Sequence, residues 1–128
     1  MELNRLSSLI IKAAIKVHKE LGPGLLESVY QSCMIIEMNE MRISVQSEVP
    51  VTIFYNRYKV HDGGFKIDLL VDDTIIVELK SVEKIRDVHK KQLLTYLRLA
   101  KKPLGLLINF NEVLLKDGIT RIINTTQS

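Results

Sequence analysis

The sequence predicts a mixed α/β fold, a β-sheet with helices packed on its faces. Apolar side chains recur at helical spacing in three segments, near 4–21, 25–39 and 87–100. Runs rich in β-branched and aromatic residues lie between and after them, bounded by Gly, Pro, Asn and Asp as strands are. Two of these runs, 65–71 and 75–80, are apolar nearly throughout, the pattern of strands covered on both sides. Such strands need helices above and below the sheet.

Taken in order, Leu6, Ile10, Ala13, Ala14, Val17 and Leu21 give one helix an apolar stripe from Asn4 to Leu21. Gly22-Pro23-Gly24 stops it, because Gly suits a C-terminal cap and Pro cannot continue the helix. A second helix is expected from Leu25 to Asn39, with Leu26, Val29, Cys33 and Ile36 as its apolar face. Val45 to Tyr55 reads as a strand, and Pro50 within it marks an edge or a bulge. Asn56-Arg57 turns into a short strand at Tyr58–His61, and Gly63-Gly64 breaks the chain again. Phe65–Val71 and Ile75–Lys80 then form a hairpin across Asp72-Asp73-Thr74. The helix from Asp87 to Ala100 turns Leu93, Leu94, Leu97 and Ala100 inward, with Pro103 just beyond it. Leu104–Phe110 is a strongly apolar strand and Ile119–Ile123 a last short one. The expected order is α-α-β-β-β-β-α-β-β.

A chain of 128 residues is expected to form a single domain, 1–128, around one core. Its 46% hydrophobic and 26% charged content is ordinary for a soluble globular protein. A formal net charge of +3 admits a polyanionic partner without requiring one. The lone Cys33 excludes a disulfide framework and a Cys-rich zinc site, and reads as a small core residue. Lys12 and Lys16 interrupt the N-terminal apolar stretch, so neither a signal peptide nor a membrane span is expected. These features fit a reducing, cytoplasmic setting.

The chemistry concentrates in Phe65–Ser81, FKIDLLVDDTIIVELKS. Side chains alternate along a strand, so Glu78 and Lys80 share a face while Leu79 points away. If the hairpin pairs, Asp68 comes alongside Glu78. Charges are rarely buried unpaired, and Val or Thr would fold more easily at these positions. Two carboxylates and an ammonium converging on an apolar sheet suit a hard divalent cation and phosphodiester chemistry. The bland alternative is a Glu78–Lys80 surface pair with Asp68 on an edge.

Other residues could join. Glu27 and Tyr30 are three apart and share a helix face, although the helix dipole alone would favour an acid at Glu27. His89, Gln92 and Tyr96 form a polar stripe on the third helix, against the plain reading of a solvated face with Lys90, Lys91 and Arg98. His18 and His61 are isolated and read as packing or surface residues. Lys90-Lys91 and Lys101-Lys102 read as solvated charges of general attraction.

Asp68 followed by Glu78-Leu79-Lys80, ten residues on, resembles the PD-(D/E)xK nuclease superfamily. Gly24-x-x-Glu27-x-x-Tyr30, with Leu21-Gly22-Pro23-Gly24-Leu25-Leu26-Glu27 and Asp68-Leu69-Leu70-Val71, is similar to its GxxExxY family. The usual Pro before the first acid is absent, Ile67 standing there. Gln92-x-x-x-Tyr96 resembles an element of recombination-type exonucleases.

The resemblance implies a restriction-endonuclease-like α-β-β-β-α-β core and a Mg²⁺- or Mn²⁺-dependent nuclease acting on nucleic acid, DNA first. Asp68, Glu78 and the Leu79 carbonyl would hold the metal, with Glu27 reaching it through water or binding a second ion. Lys80 would orient or deprotonate the attacking water, or stabilise charge on the phosphorane. Gln92, Tyr96 and Tyr30 would position substrate. A non-catalytic nucleic-acid- or protein-binding module on the same fold is the alternative, and a cluster that merely sets strand register is a third reading. A homodimer stays open.

Overall fold

A computed structural model describes residues 1–125, so the last three positions of the expected domain lie outside the described residues. The chain runs α1 (Leu3–Leu21), α2 (Glu27–Glu40), β1 (Val45–Tyr55), β2 (Tyr58–Val71), β3 (Ile75–Lys80), α3 (Asp87–Ala100), β4 (Leu104–Asn109), a 3₁₀ turn (Leu115–Gly118) and β5 (Ile119–Ile123). The strands form one sheet in sequence order, β1 to β5. β3 and β4 are parallel and the other neighbours antiparallel. Parallel neighbours need a crossover, and α3 supplies it.

The expected mixed sheet flanked by helices is what the chain forms. Ile75, Val77 and Leu79 of β3, with Leu104, Leu106 and Ile108 of β4, pack beneath α1 and α2. Ile76 and Leu107 face the other way, against Leu93, Tyr96 and Leu97 of α3. β3 and β4 are therefore covered on both sides, which explains their apolar runs. Gly105 lets α3 sit close, since a Cβ there would lie 2.9 Å from Leu93 Cγ.

Three expectations are corrected. Tyr58–His61 and Phe65–Val71 are one continuous strand, so among the described residues the sheet has five strands rather than six. Gly63, at φ +72°, takes up the irregularity, and the register with β1 shifts beside it instead of breaking. In α2 the buried residues are Tyr30, Met34 and Met38, while Leu26 is 74% exposed and Ile36 is also exposed. Apolar side chains surround α2 almost evenly, so the packing of α1 and the sheet chose the face rather than the helix's own pattern. In α3, Tyr96 takes the inward place expected of Leu94. Pro50 lies on β1, an edge strand, as a residue without an N–H should. Cys33 is half-buried against the core.

Candidate active site

The β2–β3 ladder runs from Val71/Ile75 to Leu69/Val77 and stops. One step further Asp68 and Glu78 would be cross-strand partners, but their backbones no longer exchange bonds there. Side chains take over instead: Asp68 Oδ2 accepts from Leu79 N–H at 2.8 Å, and Glu78 Oε2 accepts from Asp68 N–H at 3.4 Å. The two carboxyls thus satisfy backbone donors that the parting strands expose.

At the same point the β1–β2 pair changes faces. Val45 and Val71 belong to the cluster under α1 and α2, whereas Val49, Val51 and Ile67 belong to the one under α3. Simple alternation would keep Leu69 and Ile67 on one face. The reversal falls at Glu48, whose φ is +52°, and opposite it at Asp68. A local bulge-like kink re-aims a side chain, and here it directs the Asp68 carboxyl at β3.

The environment is dry for a charge. Glu78 is 8% exposed, and its Oε1 has no hydrogen-bond partner among the described residues. Burial, the hydrogen bond from its side chain to Asp68 and the Asp68 charge push the Glu78 carboxyl up to about 9. Lys80, on the same strand face, opposes that rise by its charge. Tyr96 comes close enough from α3 for burial, first, and then Glu78 and Asp68 to raise its hydroxyl. Asp68, Glu78, Lys80 and Tyr96 are therefore brought together.

Gln92 lies one helical turn before Tyr96 and is exposed. The third residue of that stripe, His89, caps α3, its Nδ1 accepting from Arg86 N–H at 3.0 Å. His18 is buried and its Nε2 lies 2.7 Å from the Glu112 carbonyl, while His61 accepts from Gly64 N–H on the exposed part of β2. Neither joins the carboxyls.

Glu27 opens α2, and its Oε1 accepts from Ser81 N–H at 3.3 Å, one residue beyond Lys80. Ser81 Oγ also donates to the Leu25 carbonyl at 2.7 Å. The α1–α2 turn is thereby tied to the end of β3. Tyr30 is a correction. It is fully buried, its ring stacks on Phe110 at 4.3 Å, and its hydroxyl donates to Gly22 O and accepts from Leu25 N–H. With both hydroxyl bonds used on the turn, it clamps Gly22–Leu25 rather than meeting substrate. Gly24, at φ +94°, makes that turn affordable in steric terms.

Sequence reasoning missed Asn109. It is fully buried at the end of β4, in register with Lys80. Its Oδ1 accepts from Val82 N–H and Asn111 N–H, and its Nδ2 donates to Val82 O at 2.9 Å. A polar residue closing an apolar strand run was the available signal. Asn109→Ala should destabilise the protein by about 2 kcal/mol, since three half-buried backbone groups lose partners. Denaturant melts check this, and an unchanged midpoint would mean water replaces the amide.

A divalent ion fits this donor set. The orphaned Glu78 oxygen and the adjacent Asp68 carboxyl are hard oxygen ligands, and Mg²⁺ commonly takes one or two carboxylates while keeping several waters. Among the described residues no cluster of three or more His, Cys, Asp or Glu side chains gathers to hold a metal. Glu27 is accordingly no third direct ligand here. Hollows lie elsewhere too: one of about 530 Å³ sits between α1 and α2, lined in part by Lys12, Lys16 and Glu37. One of about 410 Å³ borders the loop after β3, lined by Val82, Glu83, Lys84, Arg86 and His89.

A five-stranded mixed sheet with helices on both faces, and an acid pair where two strands part, is a restriction-endonuclease-like core. A family model described as the PD-(D/E)XK nuclease superfamily matches residues 4–122. The chain belongs to that superfamily, whose members generally use divalent metals. No curated protein and no solved structure matches it. No helix among the described residues is long and apolar enough to cross a membrane.

Proposed function

We propose that this protein is a divalent-metal-dependent nuclease of the GxxExxY kind, hydrolysing phosphodiester bonds in nucleic acid, DNA first. The observation that carries the reading is the buried Glu78 beside a half-buried Asp68 at the end of the β2–β3 ladder, with Glu78 Oε1 unpartnered among the described residues. Burying one acid directly beside another works against folding unless a cation joins them.

Asp68, Glu78 and the Leu79 carbonyl would hold Mg²⁺ or Mn²⁺, with Glu27 contributing through water. When bound, the ion supplies Lewis acidity and a more acidic water. Lys80 holds a positive charge on the Glu78 face and orients the nucleophile or steadies the phosphate. The Tyr96 hydroxyl and the exposed Gln92 amide position the substrate. The three parts of Gly24-x-x-Glu27-x-x-Tyr30 act together: they build the turn that anchors Ser81, and so set the course of the chain directly after Lys80. The half-buried lone Cys33 suits a cytoplasmic setting.

The test is calorimetric titration with Mg²⁺ and Mn²⁺, with a nuclease assay on the same samples, for wild type, Asp68→Ala and Asp68→Asn. Asn retains an acceptor for Leu79 N–H, so it separates loss of charge from loss of the fold. Wild type should bind and cleave, and both variants should do neither. Asp68→Ala cleaving as well as wild type would refute the assignment. Ion-independent nucleic-acid binding without Asp68-dependent metal affinity would favour the non-catalytic module.

A further inference from the structure

β2 outruns β3. The ladder with β3 covers Leu69–Val71, while Tyr58–Ile67 pair with β1 alone. The outer hairpin is therefore an arm that projects from the sheet. At about 3.3 Å per strand residue, its tip stands up to roughly 30 Å from Asp68.

The arm's surface is unusual for a solvated hairpin. Tyr55 and Tyr58 are directly opposed at the tip and are 69% and 74% exposed, and Phe54, Val60 and Phe65 are exposed too. Cations are interleaved with them: Arg57, Lys59 and Lys66, against one acid, Asp62. Asp62 lies 3.5 Å from Lys59, which leaves Arg57 and Lys66 to set the sign of the surface. Arg57 occupies the turn at φ +73°, a conformation that favours Gly or Asn. A charged side chain is held there at a cost to the fold.

The rings also lead somewhere. His61 lies 5.1 Å from Phe65, ring centre to ring centre, and Phe65 lies 6.5 Å from Tyr96. Tyr96 in turn stands within the field of Asp68 and Glu78. Phe65 is the cross-strand neighbour of Val51, which packs on the α3 side, while His61 faces Ile53 and Tyr58 faces Tyr55 nearer the tip. The arm thus carries exposed rings at its tip, and a second set, His61 and Phe65, leads from its base to Tyr96.

We infer that this arm grips unpaired bases of the nucleic acid that enters the site, so the substrate class is single-stranded or carries a single-stranded segment. The inference rests on the nuclease reading. Exposed rings stack on any base, and interleaved cations follow the backbone, which together is how single strands are held without sequence preference. A duplex hides its base faces and would leave the rings idle. A second copy of this chain would bring the same cations against themselves.

The test is fluorescence-anisotropy titration of the full chain, in chelator and at fixed salt, with a labelled single-stranded oligonucleotide and the matching duplex. Wild type is compared with Tyr55→Ala/Tyr58→Ala and Tyr55→Phe/Tyr58→Phe. The Ala pair should weaken single-strand binding by about tenfold or more. The Phe pair should keep it, because stacking needs the ring and not the hydroxyl. Thermal melts confirm that both variants fold. Unchanged single-strand affinity in the Ala pair overturns the arm's role, as does tighter binding of duplex than of single strand by wild type. A dimer that the Ala pair dissociates, with oligonucleotide affinity intact, would make a second copy the occupant and also overturn it. Cleavage is scored separately. Asp68-dependent cleavage with no effect of the arm variants leaves the nuclease reading standing and the arm refuted. Tyr-dependent binding with no cleavage of any polynucleotide refutes the nuclease and keeps the grip.

Discussion

Lys80→Ala is expected to lower metal-dependent cleavage by about 10²- to 10⁴-fold while divalent-ion binding changes far less. Lys80 shares a strand face with Glu78 and acts on it through charge. It offers no oxygen to a cation, so the ligating groups survive its removal. Two effects on ion binding oppose each other: a nearby positive charge disappears, which favours the cation, and Glu78 keeps its proton more tightly, which does not. The loss therefore falls on the chemical step. Lys80 is half-buried and its backbone carbonyl accepts from Phe110 N–H, a bond the variant keeps. Lys80→Met, which retains most of the apolar stem, checks for lost packing. Single-turnover cleavage and calorimetry on the same samples measure the split. Equal loss of binding and cleavage would assign Lys80 to the integrity of the ion site instead.

Glu78→Gln should raise the melting temperature of the metal-free protein above neutral pH, even as it abolishes ion binding and cleavage. Glu78 titrates near its ordinary 4.5 when unfolded and at about 9 when folded. Between those values the native state holds a proton that the unfolded chain has released. Protons bound to the native state exceed those bound to the unfolded state, so stability falls as pH rises through this window. The slope is at most about 1.4 kcal/mol per pH unit, and less where Asp68 and solvent share the charge. Gln keeps the shape and has no proton to lose, so its profile should be flatter. The two proteins should converge toward pH 4.5 and diverge toward pH 9. Metal affinity of the wild type should rise over the same range, because the ion displaces that proton. Melts in chelator across the window decide it: a wild-type profile that matches Glu78→Gln at every pH would mean the pair is ionised and solvated. Stability given up at a site needed for function is a common pattern.

The helices, the apolar strands and the fold class were legible because they depend on local periodicity. Asp68, Glu78 and Lys80 stood out for a related reason. Alternation puts Glu78 and Lys80 on one face, and acids inside Ile-Leu-Val runs conflict with the burial those runs predict. Their meeting was readable because a short turn at Asp72-Asp73-Thr74 sets the register. The role of Tyr30 was not, since spacing shows a shared face with Glu27 but not whether that face meets substrate or a turn. The inward face of α2 was equally hidden, its apolar residues being spread around the helix. Asn109 matters through partners 27 residues away in sequence, at Val82, which no local pattern reports.

Local periodicity set the helices, most of the strands, the mixed sheet and the faces that carry Glu78 and Lys80, because periods of side-chain direction act within a few residues. Packing between distant segments set where the β2–β3 ladder ends, how the β1–β2 pair changes faces at Glu48 and Asp68, and that Tyr96 comes within the field of the carboxyls. Those depend on how α3 seats against β4 and how far β2 outruns its neighbour. Both are balances of packing between segments distant in the chain, and so leave no local trace in the order of residues.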